Sequence, residues 1–272
     1  EFTLAMLKKK LLENGSKNKL NLKTYPKKSS IHFNEFEINA IQNSHSIPQS
    51  VSLLIKTKKN IIFHTGDWKF NGAKNLKEKP YINELKSLKN LKISTIISDS
   101  TNSLINGHTP SENDAHKGLK NVISKCKGLI IITCFSSNIS RIKSILEIAK
   151  SSNKKVCVLG RAIRRSIEAA MDVGIIEKNY DFYSLNKINK ISKKNLLILS
   201  SGSQGEPNSA LTRMAAGKIE EIILDDKDTV IFSSKKIPGN ERKISKVEEM
   251  FIEKKAIIFN EENNQSIHVS GH

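Results

Sequence analysis

GLIIITCFSSNISRIKSILEIAK, residues 128–150, decides the fold. Gly128 to Thr133 is a short, unbroken apolar run, the pattern of a strand covered on both faces. From Asn138 to Lys150 the period changes to that of a helix, with apolar residues at 139, 142, 145, 146 and 149 on one face. Between them stands Phe135-Ser136-Ser137-Asn138. Small hydroxyls and an amide at a helix N-terminus serve either as caps or as an anion site.

Downstream the same grammar repeats. Strands are expected at Val156–Leu159, Leu196–Ser200, Thr229–Phe232 and Ala256–Phe259, with helices over Ala162–Val173 and Arg242–Glu253. Strand–helix alternation implies an α/β architecture with a parallel, doubly wound sheet flanked by helices. Such sheets place ligands at the C-terminal ends of their strands. Ser201-Gly202-Ser203-Gln204-Gly205-Glu206-Pro207 and Ile237-Pro238-Gly239-Asn240-Glu241 follow two further strands. With Phe135–Asn138 they make three polar turns on one sheet edge, a row suited to a phosphate backbone.

Upstream the pattern differs. Thr3 to Asn14 predicts a helix closed by Gly15. The stretch on to Lys59 reads as strand-like, with short runs at Ile31–Phe33, Phe36–Ile41 and Ser52–Ile55, and Asn60–His64 follows. Ile93–Ile97 reads as a buried-type strand that delivers Ser98-Asp99-Ser100-Thr101. Thr109 or Ser111 would cap the helix that comes next.

The chain of 272 residues carries a net charge of +18. That favours a polyanionic partner, nucleic acid first. Yet only six of the 45 basic residues are Arg, and Lys, Asn and Ile are all abundant. An AT-rich genome produces that composition without selection, so charge alone assigns no function. No run approaches the roughly 18 apolar residues of a membrane span, and no signal peptide is visible. Cys126, Cys134 and Cys157 read as reduced thiols of a cytoplasmic protein.

The chemistry lies in dispersed polar clusters. His45 and Asp67 each follow a strand, and an imidazole with a carboxylate suits zinc or manganese. Gly66-Asp67 is equally a common turn pair, and His64 reads as a strand-end residue. Asp99 closes a strand. His268 and His272 flank Ser270-Gly271, a tight loop able to contact phosphate while one imidazole moves a proton.

These clusters, in this order, resemble the ribonuclease J branch of the metallo-β-lactamase/β-CASP superfamily. The segments that carry the resemblance include Ser44–Pro48, His64–Phe70, Ser98–Asn102, Gly107–Glu112, Phe135–Arg141, Ser201–Met214, Phe232–Glu241 and Ile267–His272. The resemblance implies a partial metallo-β-lactamase αββα layer over residues 1–106, an inserted β-CASP domain over 107–261, and a return to the first domain over 262–272. It implies two zinc ions, with His45 as a ligand and Asp67 as a ligand bridging them. Asp99 is then the acid that orients His272, and His272 the general acid. His268, Ser270, Gly271, Ser137 and Asn138 hold phosphate. The implied activity is 5′-to-3′ exonucleolytic and endonucleolytic hydrolysis of RNA in RNA maturation and decay, by a cytoplasmic homodimer or homotetramer.

This chain departs from the family pattern. The His-x-His-x-Asp-His motif that supplies most zinc ligands is not in the sequence. Gln49 stands where the family often has an acid, and Trp68 where it usually has Phe. The expectation is an internal piece of a larger enzyme, inactive by itself. The rival expectation is a non-catalytic RNA-binding paralogue that supports an active subunit.

Overall fold

Apolar residues alternating along short strands build the first of two units. The computed structural model describes the chain apart from residues 16–19, 26–29 and 77–80. It divides into residues 1–111 with 270–272, and residues 112–269. Residues 107–111 thus group with the first unit and 262–269 with the second.

In the first unit α1 (Phe2–Glu13) precedes β1 (Ser30–Phe33), β2 (Phe36–Gln42), β3 (Val51–Lys56), β4 (Ile61–His64), α2 (Tyr81–Leu85) and β5 (Thr95–Ile97). Gly15, at φ +64, ends the helical stretch as expected. The five strands form one sheet in chain order. Its first three pairings are antiparallel, with Ile38 opposite Ile55 and Leu54 opposite Phe63. The last, β4 with β5, is parallel. Leu54, Phe63, Tyr81 and Leu88 are the buried core, and Trp68 packs against them. Part of the strand-like reading falls on residues 16–19 and 26–29, outside the described residues; within them the strands begin at Ser30.

β5 corrects one expectation. Its apolar run predicts a buried strand, yet Ile96 is 63% and Ile97 50% exposed. The physical reason is position: β5 is the edge of the sheet, paired only with β4 among the described residues.

The second unit opens with α3 (Glu112–Lys125), then β6 (Ile130–Thr133), α4 (Ile139–Ser151), β7 (Lys155–Leu159), α5 (Arg161–Asp172) and β8 (Phe182–Tyr183). It continues with β9 (Leu196–Ser200), α6 (Ala210–Ala215), β10 (Thr229–Phe232), α7 (Glu241–Glu253) and β11 (Ile257–Phe259). Six parallel strands lie in the order β11-β10-β6-β9-β7-β8. Every residue of β6, β9 and β10 is buried, as unbroken apolar runs require when helices cover both faces. Ile131, Ile198, Val230 and Phe232 share one core with Leu211 and Met214 of α6 and Ile244, Val247 and Phe251 of α7. Cys134 and Cys157 are buried beside this sheet as free thiols, and Cys126 is half-buried. Burial pushes the Cys134 thiol up to about 12 and the Cys157 thiol up to about 11. The short α2, β8 and α6 carry too little periodicity to be read from sequence.

One charged pair crosses this core. Arg141 of α4 is fully buried, and its Nε donates to Glu112 Oε2 at 2.9 Å while Nη2 donates to Oε1 at 3.2 Å. Next to it, a single-turn segment at Gln265–Ile267 lies against α3. Gly118 permits that approach, since a Cβ there would stand 2.0 Å from the Ser266 carbonyl oxygen. Gly118→Ala is therefore expected to lower the unfolding free energy by about 1–3 kcal/mol, read from urea denaturation. An unchanged midpoint would show that the segment yields without cost.

Candidate active site

The first unit gathers the dispersed clusters at the C-terminal ends of its strands. After β2, the loop of residues 43–50 carries His45; after β4, residues 65–67 carry Asp67. Buried Asn43 ties the two loops, its Nδ2 donating to the carbonyls of Thr65 at 2.9 Å and Asp67 at 3.2 Å. Ser52 Oγ adds a bond to the Thr65 carbonyl at 2.6 Å. Gly66, at φ +60, makes the turn that brings Asp67 forward. His64 ends β4 exposed, its Nδ1 accepting from the Gly66 amide at 3.1 Å.

His45, Asp67 and His272 each present a ligand-capable atom, all within 4.8 Å of one another. His45 Nε2 lies 3.8 Å from Asp67 Oδ2. Both imidazoles are anchored through Nδ1. His45 Nδ1 donates to the Gly271 carbonyl at 2.9 Å, and His272 Nδ1 to Asp99 Oδ2 at 2.6 Å. Anchoring Nδ1 in this way leaves each Nε2 available to a cation or to a proton. Burial, opposed by the Gly271 carbonyl, lowers the His45 pKa and so favours the neutral ring. Two imidazoles and a carboxylate fit one divalent ion with a position left open. Among the described residues this is the only such cluster.

Asp99 is held in turn. Its Oδ1 accepts from the Thr101 hydroxyl at 2.6 Å and the Thr101 amide at 2.9 Å. Burial opposes its charge, but the bonds from Thr101 and His272 outweigh burial and hold the carboxyl well below the usual range. Lys69 Nζ donates to the Ser270 carbonyl at 3.2 Å, and Asn102 Nδ2 reaches Ser270 Oγ and the His272 carbonyl. Thr109 donates to the same carbonyl at 2.6 Å, a use its reading as a helix cap does not anticipate. Asn43, Lys69 and Asn102 escaped the sequence reading. Of the three, Lys69 and Asn102 lie in segments that carry the resemblance, with no role attached to either. Beside His272 opens a cavity of about 370 Å³, walled by Trp68, Phe70, Thr101 and Asn102.

The other predicted residues lie in the second unit. The turns 134–138, 201–207 and 233–240 all leave the C-terminal edge of the neighbouring strands β6, β9 and β10. Gln204 joins two of them, its Oε1 accepting from the Ile237 amide at 2.9 Å and its Nε2 donating to the Lys235 carbonyl at 2.9 Å. Asn138 caps α4 by accepting from the Arg141 amide at 2.9 Å, and its Nδ2 reaches Glu112 Oε1. Its amide is thus engaged at both ends, while Ser137 is exposed. His268 is half-buried, and burial, then the nearby Arg141, lowers its pKa to about 3.

Residues 127–251 match the family model described as ribonuclease J, beta-CASP domain. The chain is 31% identical to a ribonuclease J of Sinorhizobium meliloti, covering 100% of this chain and 48% of that protein. It is 33% identical to ribonuclease J2 of Bacillus subtilis, covering 100% and 49%, and 35% identical to a ribonuclease J of Helicobacter pylori, covering 99% and 39%. The chain therefore spans about half, or less, of the length of these relatives. A solved protein of unknown function from Enterococcus faecalis V583 shares the fold, with a TM-score of 0.67 at 14% identity, covering 100% of this chain and 62% of that one.

Two outcomes are expected. A Cβ on Gly271 would stand 2.6 Å from His45 Cε1, so Gly271→Ala displaces the imidazole. Zn2+ affinity by calorimetric titration should fall about 10–100-fold; undiminished binding would remove His45 from the cation site. His268 takes up its proton only near pH 3 in the folded chain, but at about 6.5 when unfolded. Its contribution to stability is therefore full above about pH 6.5 and is lost as pH falls toward 3. Between pH 7 and 5 the wild type should lose up to about 2 kcal/mol more than His268→Gln; equal losses would show that His268 titrates alike in both states.

Proposed function

We propose that this chain, whose residues 127–251 match the family model described as ribonuclease J, beta-CASP domain, supplies the machinery of a metal-dependent ribonuclease that hydrolyses RNA phosphodiesters. The observation that carries the proposal is the Asp99–His272 pair at 2.6 Å beside His45 and Asp67. It joins an oriented proton carrier to a cation site.

In this reading His45 and Asp67 hold zinc. A bound ion supplies Lewis acidity and charge neutralisation at a phosphodiester. The family pattern has two ions bridged by Asp67; in this reading His45 and Asp67 are the ligands the described residues contribute. Asp99 fixes the orientation of His272, so that its Nε2 can carry a proton to the leaving oxygen. Lys69, Asn102 and Thr109 fix the backbone of residues 270–272 so that this geometry is kept. Ser270 and Gly271 offer backbone and hydroxyl groups to phosphate, and the cavity walled by Trp68 and Phe70 accepts a nucleotide by stacking. The turns after β6, β9 and β10, with Ser137, Asn138 and His268, follow the RNA backbone. The net charge of +18 supports binding to a polyanion. Exonucleolytic and endonucleolytic action, a role in RNA maturation and decay, a cytoplasmic setting and assembly into dimers or tetramers complete the reading.

The single ligand cluster among the described residues favours a second reading, an RNA-binding chain that supports an active subunit. It also leads to the expectation that these 272 residues cleave RNA poorly by themselves.

The test is a paired binding and cleavage assay with a 5′-phosphorylated oligoribonucleotide. RNA should bind more tightly than DNA of the same sequence, with affinity falling steeply as salt rises. Residual cleavage should vanish with chelator. His272→Ala should remove it while leaving Zn2+ affinity within about tenfold of wild type; a larger loss of affinity would make His272 a ligand instead of the acid. Binding without cleavage or cation affinity would establish the second reading. Cleavage indifferent to chelator would sink the first.

A further inference from the structure

We propose that Arg141 is a positioning residue for His268: clamped by Glu112, its guanidinium keeps the neutral imidazole protonated on Nε2 alone and presents that N–H to a phosphate oxygen. The phosphate half rests on the ribonuclease reading; the tautomer half stands without it.

Three observations converge. The first is immobility. Arg141 is 0% and Glu112 3% exposed in their side chains, and the two bonds between them hold the guanidinium plane in a fork. A planar fork gripped at both teeth cannot swing away from what its third nitrogen faces.

The second is what Nη1 faces. It lies 2.6 Å from Ser233 Oγ, 3.0 Å from the Ser233 carbonyl, 3.2 Å from the Ile267 carbonyl and 3.4 Å from His268 Nδ1. Ser233 Oγ in turn donates to the Ile267 carbonyl at 2.6 Å, which fixes the backbone just before His268. A guanidinium has donors and no acceptor. Nη1 has two N–H groups for these four acceptors, so its contact with Nδ1 at 3.4 Å is the longest of the set, yet a lone pair on Nδ1 faces the cation more favourably than a proton would. The competing arrangement has Nδ1–H donate to the Ser233 carbonyl, an oxygen that also accepts from Arg141 at 3.0 Å; the guanidinium charge 3.4 Å from Nδ1 weighs against a proton there.

The third is the other ring nitrogen. His268 Nε2 is buried with no hydrogen-bond partner among the described residues. An unsatisfied buried polar atom in a native fold calls for a ligand, an ion or a catalytic task. The charged groups about the ring are Arg141, Lys235 and Glu112. Two cations against one anion disfavour an imidazolium, consistent with the value near 3. His268 therefore holds phosphate as a neutral donor, and its contact does not change across the range in which an ordinary histidine titrates.

The experiment is long-range 1H–15N spectroscopy of the chain labelled with 15N-histidine, His268 being assigned through His268→Gln. At pH 7 the ring should carry a proton on Nε2 and none on Nδ1, unchanged down to pH 5. Inorganic phosphate, and more strongly a 5′-phosphorylated oligoribonucleotide, should shift Nε2. Arg141→Lys, which keeps the charge and loses the fork, should populate both tautomers and weaken the phosphate response about tenfold. Ser233→Ala should leave the tautomer as in the wild type. A protonated Nδ1, or an imidazolium at pH 7, overturns the proposal on wild-type protein, whatever the variants do. The expected tautomer with an Nε2 indifferent to both phosphates overturns the phosphate half. A response to inorganic phosphate without RNA binding upholds the positioning role and counts against the ribonuclease reading alone.

Discussion

The bond between Glu112 and Arg141 is the constraint on which the arrangement at the C-terminal sheet edge of the second unit depends. It joins the first residue of α3 to the first turn of α4, in a place where neither charge meets water. Two ions withdrawn from solvent are tolerated only where geometry is good and the remaining donors are satisfied. Arg141 meets that condition by spending its third nitrogen on Ser233 and Ile267. The same bonds that settle the charge also settle the chain just past β10 and just before His268. Asn138 belongs to this arrangement too, since it caps α4 while touching Glu112. Charge pairing, helix capping and loop placement are thus one network.

The first unit solves a related problem with weaker means. Its strands are short, and its loops would be free without Asn43, Ser52, Lys69 and Asn102. Each spends a side-chain donor on a backbone carbonyl of a loop that carries a functional residue. Asp99 is the end of such a chain, held by Thr101 on one oxygen and holding His272 with the other. The result is an imidazole whose direction is fixed by a carboxylate that a threonine holds in turn, where the second unit uses a buried ion pair.

Much of this was legible in the sequence. Continuous apolar runs gave the positions of β6, β7, β9 and β10, because strands covered on both faces must be apolar throughout. The polar turns after them mark the C-terminal edge of the sheet. His45, Asp67 and Asp99 stood out as polar residues at strand ends and His272 in the tight loop around Ser270-Gly271, and the structure brings all four together. What stayed hidden was of another kind. A stretch as short as Ile93–Ile97 cannot tell an edge strand from a central one, which is why the exposure of β5 leaves no mark in the sequence. Glu112 and Arg141 are 29 residues apart, and nothing local marks either as buried. Lys69 is one lysine among many, and Asn43 reads as a turn residue. Local pattern reports periodicity and capping; long-range pairing of polar groups leaves no local trace.

The cysteines at β6 and β7 have a kinetic consequence. With its thiol pushed to about 12, Cys134 carries almost no thiolate at neutral pH, and its sulfur is shielded by packing. An alkylating reagent can reach it only when the parallel sheet opens. Its labelling rate is thus a native clock for the breathing of the second unit, built in without any engineered reporter. Slowing of that clock by a bound oligonucleotide would measure how far the ligand tightens the sheet beneath it.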